Sequence, residues 1–262
     1  MIKVRSKDGT KIAVDRLGDG PAVILVGGGS VDRSDNAPLA ALLAEYFTVY
    51  NYDRRGRGDS DLSPAGTPYS PELEFQDLEA VFAAAGGSAD LYGISSGAAL
   101  ALLAAAAGCP AKKVALYEPP YILEESSKPR PSKDNASVYR ELVAAGKRDE
   151  AFIRFVVHGV GLPAELVETW RTEPWWPKQL QLAHTLEYDA TIMGESRLPV
   201  DEVRDYTTPT LVMSGDSGWE WIEAAAPALA GILKNGTHEV LNGQTHEVDP
   251  AVLVPKLRAF FA

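Results

Sequence analysis

Cysteine is almost missing from this chain. Cys109 stands alone among 262 residues, so no internal disulfide can form and no thiolate set can hold a metal. Its place between Gly108 and Pro110 reads as the end of a helix. Histidine is scarce too: His158, His184, His238 and His246 are scattered without the spacing of metal ligands, so neither metal nor any other cofactor is expected. No apolar run approaches the ~20 residues that span a bilayer, and the segment Met1 to Asp8 lacks the apolar centre of a secretion signal. Positive charge is in deficit, with 25 Lys and Arg against 36 Asp and Glu and a net charge of -11. Such an excess repels nucleic acid phosphates and anionic lipid, which are therefore excluded as expected partners. What remains is the expectation of a soluble, cytoplasmic, unprocessed protein whose partner is a small molecule. Oligomeric state is left open.

What the chain has is alternation. Ile2 to Arg5 and Lys11 to Arg16 read as strands joined by an Asp8-Gly9 turn. Ala22 to Val26 is a short apolar run of the kind buried in a parallel sheet, and it ends in Gly27-Gly28-Gly29. A helix around Pro38 to Tyr46, a strand Thr48 to Tyr52, and further strands at Leu91, Val114 to Tyr117, Thr210 to Met213 and His238 to Leu241 continue the order. Strand alternating with helix predicts an α/β fold, a mostly parallel sheet covered on both faces. The rhythm stops between Pro119 and Tyr206, where helical spacings dominate: Phe152, Phe155 and Val156, then Leu166, Val167 and Trp170, then Leu182, Leu186 and Tyr188. The expected division is a core of residues 1–118 and 207–262 with an inserted helical segment at 119–206. Within it, Ser126 to Asp134 reads as a mobile polar connector.

One string carries chemistry. Gly93-Ile94-Ser95-Ser96-Gly97 follows the apolar strand at Leu91 and precedes the alanine-rich helix from Ala98 to Ala107. A serine on so tight a strand-to-helix turn is held with its hydroxyl exposed, as a nucleophile needs. The Ser96 amide at the helix start is a ready donor for a developing negative charge. Activation requires a base. His246 lies in a loop after the last strand and before Asp249-Pro250, a helix N-cap and first-turn pair, so it can reach back over the carboxyl edge of the sheet. His238 alternates with apolar neighbours and reads as a packing residue.

These residues resemble the α/β-hydrolase family: Gly93 to Gly97 its nucleophile elbow, Asp53-Arg54-Arg55-Gly56-Arg57-Gly58-Asp59-Ser60 its turn after the fourth strand, and Gly243-Gln244-Thr245-His246 its histidine loop. The resemblance implies that segment 119–206 is a cap over the active site, and that Gly29, with Gly28 beside it, supplies the second oxyanion donor. Gly27 stands where many members carry histidine. It also implies an acid a few residues after the glycine ending the seventh strand. Here Gly218 occupies that place, which leaves two substitutes open: Asp216 on the same loop and Glu118 after the sixth strand. Trp176, Trp219 and Tyr188 are the expected lining of a substrate pocket. The leading expectation is a serine hydrolase acting on an ester, lactone or thioester of a small, largely apolar molecule. The alternatives are a non-hydrolytic enzyme using His246 as base, and a ligand-binding protein without turnover.

Overall fold

The computed structural model describes residues 1–262. Eight strands form one sheet: β1 (Ile2–Arg5), β2 (Lys11–Leu17), β3 (Ala22–Val26), β4 (Thr48–Tyr52), β5 (Ala89–Ile94), β6 (Ala111–Tyr117), β7 (Thr210–Gly215) and β8 (Gly236–Leu241). Their spatial order is β1-β2-β4-β3-β5-β6-β7-β8. The first three neighbours begin antiparallel, β1 with β2 and β2 with β4, and every later pairing is parallel. The β1–β2 turn forms because Gly9 takes φ 94° while Asp8 accepts the Thr10 amide.

Parallel strands must be covered on both faces, and their side chains divide accordingly. Ile24, Val26, Leu91, Val114, Leu116 and Val212 share a core with α2 (Pro71–Ala84), α3 (Ser96–Ala106) and α9 (Glu220–Ile232). Their neighbours in the pleat, Val23, Leu25, Tyr92, Ala115, Tyr117, Leu211 and Met213, face α1 (Ala37–Leu43) and α10 (Pro250–Phe261). Asp249 caps α10, its carboxylate accepting the Ala251 amide at 2.8 Å.

Between β6 and β7 lie only helices: α4 (Asn135–Ala144), α5 (Arg148–Arg154) running into a π-helical turn (Phe155–Val160), α6 (Ala164–Thr169), α7 (Trp176–Leu182) and α8 (Leu186–Met193). Two points differ from the sequence expectation. The helical pattern from Leu182 to Tyr188 is two helices, because a tight turn at Ala183–Thr185 separates α7 from α8. Helix α4 carries too thin an apolar stripe to be read from the sequence, since only its Tyr139 is buried. Helix α8 packs on α4, α3 and α2, joining the insertion to the body of the protein.

Candidate active site

Ser95 sits between β5 and α3 with φ 57° and ψ −132°, a conformation that costs an L-residue roughly 1–3 kcal/mol and persists where the surroundings enforce it. The enforcement is steric. A Cβ on Gly93 would lie 2.5 Å from the Gly97 carbonyl, and one on Gly97 would lie 2.3 Å from the Gly27 carbonyl. The helix therefore meets its own strand, and the end of β3, at backbone contact. Gly28 lies less closely but still tightly: a Cβ there would be 3.2 Å from Ser95 Cβ.

His246 shares a cavity wall with Ser95 and Ser96. Its Nδ1 is 2.7 Å from Glu118 Oε2, and Glu118 is fully buried. The other oxygen of Glu118 accepts the Gly215 amide at 2.9 Å. Glu118 has φ 45°, a left-handed backbone like that of Ser95; its amide bonds to the Met213 carbonyl, which turns the chain off β6 toward the histidine. Of the two candidate acids, Glu118 is thus the one on the imidazole. Asp216 is elsewhere: exposed, with its Oδ1 accepting the Gly243 amide at 2.6 Å and the Ser217 hydroxyl at 3.1 Å. That is a loop-tying role. A Cβ on Gly215 would fall 2.1 Å from the Gln244 carbonyl, so the two loops are packed backbone to backbone and Asp216 is fixed on their outer side. Gly218 does abut the His246 backbone, at 3.6 Å from a notional Cβ, but has no side chain to offer. The Tyr117 hydroxyl holds the Thr245 carbonyl and steadies the loop.

The cavity measures about 280 Å³. Gly29, Ser95, Ser96 and His246 line it together with the apolar side chains of Leu186, Met193, Phe155 and Trp221. Trp219 lines it too, with its ring 5.8 Å from that of His246. Trp176 and Tyr188 do not, contrary to the sequence expectation. Trp176 is buried with Phe152, Val156 and Val167 inside the insertion, because burying its large apolar surface there completes a small core. Tyr188 stacks on Tyr69 at 4.1 Å and lines a separate shallow groove with His184.

A buried ion network escaped the sequence reading. Asp189, on α8, accepts from Arg54 Nη1 at 2.8 Å, from Arg57 Nη2 at 2.8 Å and from Ser96 Oγ at 2.8 Å. Arg54 is held on its other side by Glu74, at 2.7 and 2.8 Å, and Arg57 also donates to the Gly28 carbonyl. Burial pushes the Asp189 carboxyl up, but Arg57 and Arg54 outweigh it and hold it below the usual carboxylate value. Two cations thus support the glycine loop beside Ser95. The arginine-rich run was the available signal, since an arginine is almost never fully buried without a carboxylate; its partner lies 135 residues away, beyond the reach of pattern.

No cluster of three or more metal-capable side chains occurs in the structure, and no helix is long and apolar enough to cross a membrane. The chain is similar over its full length to an alpha/beta hydrolase from Sphaerobacter thermophilus DSM 20745, at 44% identity and TM-score 0.92, with 100% of both chains covered. An esterase from Exiguobacterium antarcticum shares the fold at 20% identity and TM-score 0.74, covering 99% of this chain and 98% of its own. A shorter stretch of 95 residues is 35% identical to the uncharacterized hydrolase YraK of Bacillus subtilis (strain 168), spanning 36% of this chain and about a third (35%) of that protein. The sequence profile of the alpha/beta hydrolase family matches residues 22–254. With a strained strand-to-helix serine, a mostly parallel eight-stranded sheet and a match across nearly the whole length, this chain belongs to the alpha/beta hydrolase family.

Proposed function

We propose that the protein is a serine hydrolase that cleaves a small ester, lactone or thioester through an acyl-enzyme on Ser95. The observation that carries this reading is the hydrogen bond from His246 Nδ1 to the buried Glu118 carboxylate, with His246 in the same cavity as the strained Ser95. A carboxylate on Nδ1 fixes the tautomer that leaves Nε2 free to accept a proton. Ser95 Oγ attacks the acyl carbonyl and His246 takes its proton. The Gly29 and Ser96 amides receive the oxyanion; removing one such donor typically costs about 100- to 1,000-fold in rate. Collapse expels the alcohol or thiol, protonated by His246, and water activated by the same imidazole releases the acid. Glu118 stabilises the imidazolium throughout. The inserted helices act as a cap, supplying walls that keep bulk water from the acyl group. Against a reaction in which Ser95 only positions substrate stands the Glu118 carboxylate on the imidazole, which supplies the acid that Gly218 lacks.

The test is covalent labelling with a fluorophosphonate. Mass spectrometry is expected to find one adduct, on the peptide containing Ser95, absent in Ser95→Ala and strongly reduced in His246→Ala. Folded wild-type protein that takes up no label overturns the assignment.

A further inference from the structure

The cavity has a cation with no carboxylate beside it. Lys128 lines the same chamber as Ser95 and His246. It is half-buried, donates to the Val160 carbonyl at 3.4 Å, and lies 4.7 Å above the Trp221 ring. Burial is the sole influence on its ammonium and pushes its pKa down. Elsewhere in this acidic chain Lys147, Lys178, Lys234 and Lys256 each meet a carboxylate. The only acid in the cavity wall, Asp189, is already taken by Arg54 and Arg57. An ammonium has three donor hydrogens, and a carbonyl and an aromatic face leave part of that capacity unused. His158 and Asn135, also in the wall, add polar atoms and no negative charge.

We propose that Lys128 binds a carboxylate on the substrate, so that the preferred substrates are carboxylate-bearing acyl esters, lactones or thioesters. The ester is attacked at Ser95 while the anionic end is held by the ammonium under the cap, and apolar walls such as Leu186 and Met193 take the methylenes between. The Trp221 face and the Val160 carbonyl hold the ammonium in place when no anion is bound. The inference rests on the hydrolase reading of this cavity.

The experiment compares methanol release from monomethyl succinate, glutarate and adipate with release from methyl butanoate, pentanoate and hexanoate, in which a methyl group replaces the carboxylate. In wild type the best anionic ester is expected to exceed its neutral counterpart in kcat/KM. In Lys128→Met that ratio falls about tenfold, the low end for a hydrogen bond to a charged partner. Lys128→Arg keeps it within about threefold and Lys128→Glu lowers it further, as the sign of the charge demands. A ratio unchanged in Lys128→Met, or neutral esters preferred by wild type at all three lengths, overturns the proposal. Binding separates this from the reaction itself: glutarate titrated calorimetrically into Ser95→Ala is expected to bind about tenfold more weakly once Lys128→Met is added. Lys128-dependent glutarate binding in a protein that hydrolyses neither ester series keeps the anion site and rejects the hydrolase reading. Equal glutarate binding with and without Lys128 rejects the anion site.

Discussion

Replacing Asp189 with asparagine should destabilise this protein markedly. The side chain keeps its shape and loses its charge, leaving Arg54 and Arg57, both essentially buried, to share Glu74 alone. Glu74 pairs with Arg54, so Arg57 becomes the uncompensated cation; its remaining strong acceptor is the Gly28 carbonyl. Breaking a buried pair by removing one partner costs about 3–5 kcal/mol, and the surviving Arg54–Glu74 pair puts this case near 3. In a chain of this size each kcal/mol moves the melting temperature by roughly 2–4 °C, so thermal unfolding followed by circular dichroism at pH 7 should fall by about 6–12 °C. The pH dependence has a definite sign. The Asp189 carboxyl is held below its ordinary value of 3.8 when folded, so its contribution is complete above that pH and lost as pH falls through the folded value. The gap between wild type and variant should therefore be constant from neutral pH down to about 4 and close only below it. Adding Arg57→Met to the same background should recover part of the loss, because the stranded charge leaves with it. A variant melting within 2 °C of wild type at pH 7, given roughly 2–4 °C per kcal/mol, would show that the network contributes nothing of this order.

Two further outcomes follow from the same structure. Glu118→Gln should lower kcat on whichever ester is turned over by about 1,000- to 10,000-fold, whereas Asp216→Asn, still able to accept the Gly243 amide, should stay near wild type; the reverse ranking would reassign the acid. Asp90, buried at the start of β5, has its carboxyl pushed up to about 6 by burial, against an ordinary value of 3.8. Its raised value means that folding is favoured by the protonated form and penalised as pH rises through 6. Asp90→Asn should accordingly stabilise by about 1–2 kcal/mol at pH 8 and by progressively less toward pH 4, read from urea midpoints at each pH.

Much of the framework was legible because it depends on local chemistry. Ala22 to Val26 reads as a buried strand because a short apolar run between Pro21 and three glycines suits a strand covered on both faces, and Gly93 and Gly97 marked the elbow because the backbone contacts there exclude any Cβ. His246 was reachable by position alone. What stayed hidden depends on orientation across long separations. Glu118 and Asp216 were equivalent as acids at strand ends until the Gly215–Gln244 contact fixed one outward and the reversed φ of Glu118 turned the other inward. Trp176 and Trp219 look alike in sequence, yet one fills the core of the insertion and the other borders the cavity. Asp189 gave no local sign of its importance, since nothing in the sequence of α8 sets it apart from its neighbour Glu187.

The position of Glu118 has a consequence for how this enzyme can diversify. It is the residue immediately after β6 and immediately before Pro119-Pro120, where the chain departs into the inserted helices. Were the acid on the loop after β7, the helical insert would be a separable module, exchangeable without touching the reactive groups. Here the same few bonds set both the angle at which the inserted helices depart and the carboxylate that meets His246. Grafting the inserted helices of a relative onto this body therefore requires retaining the stem from Tyr117 to Pro120 as a unit, because a shift in that stem displaces the carboxylate held against His246.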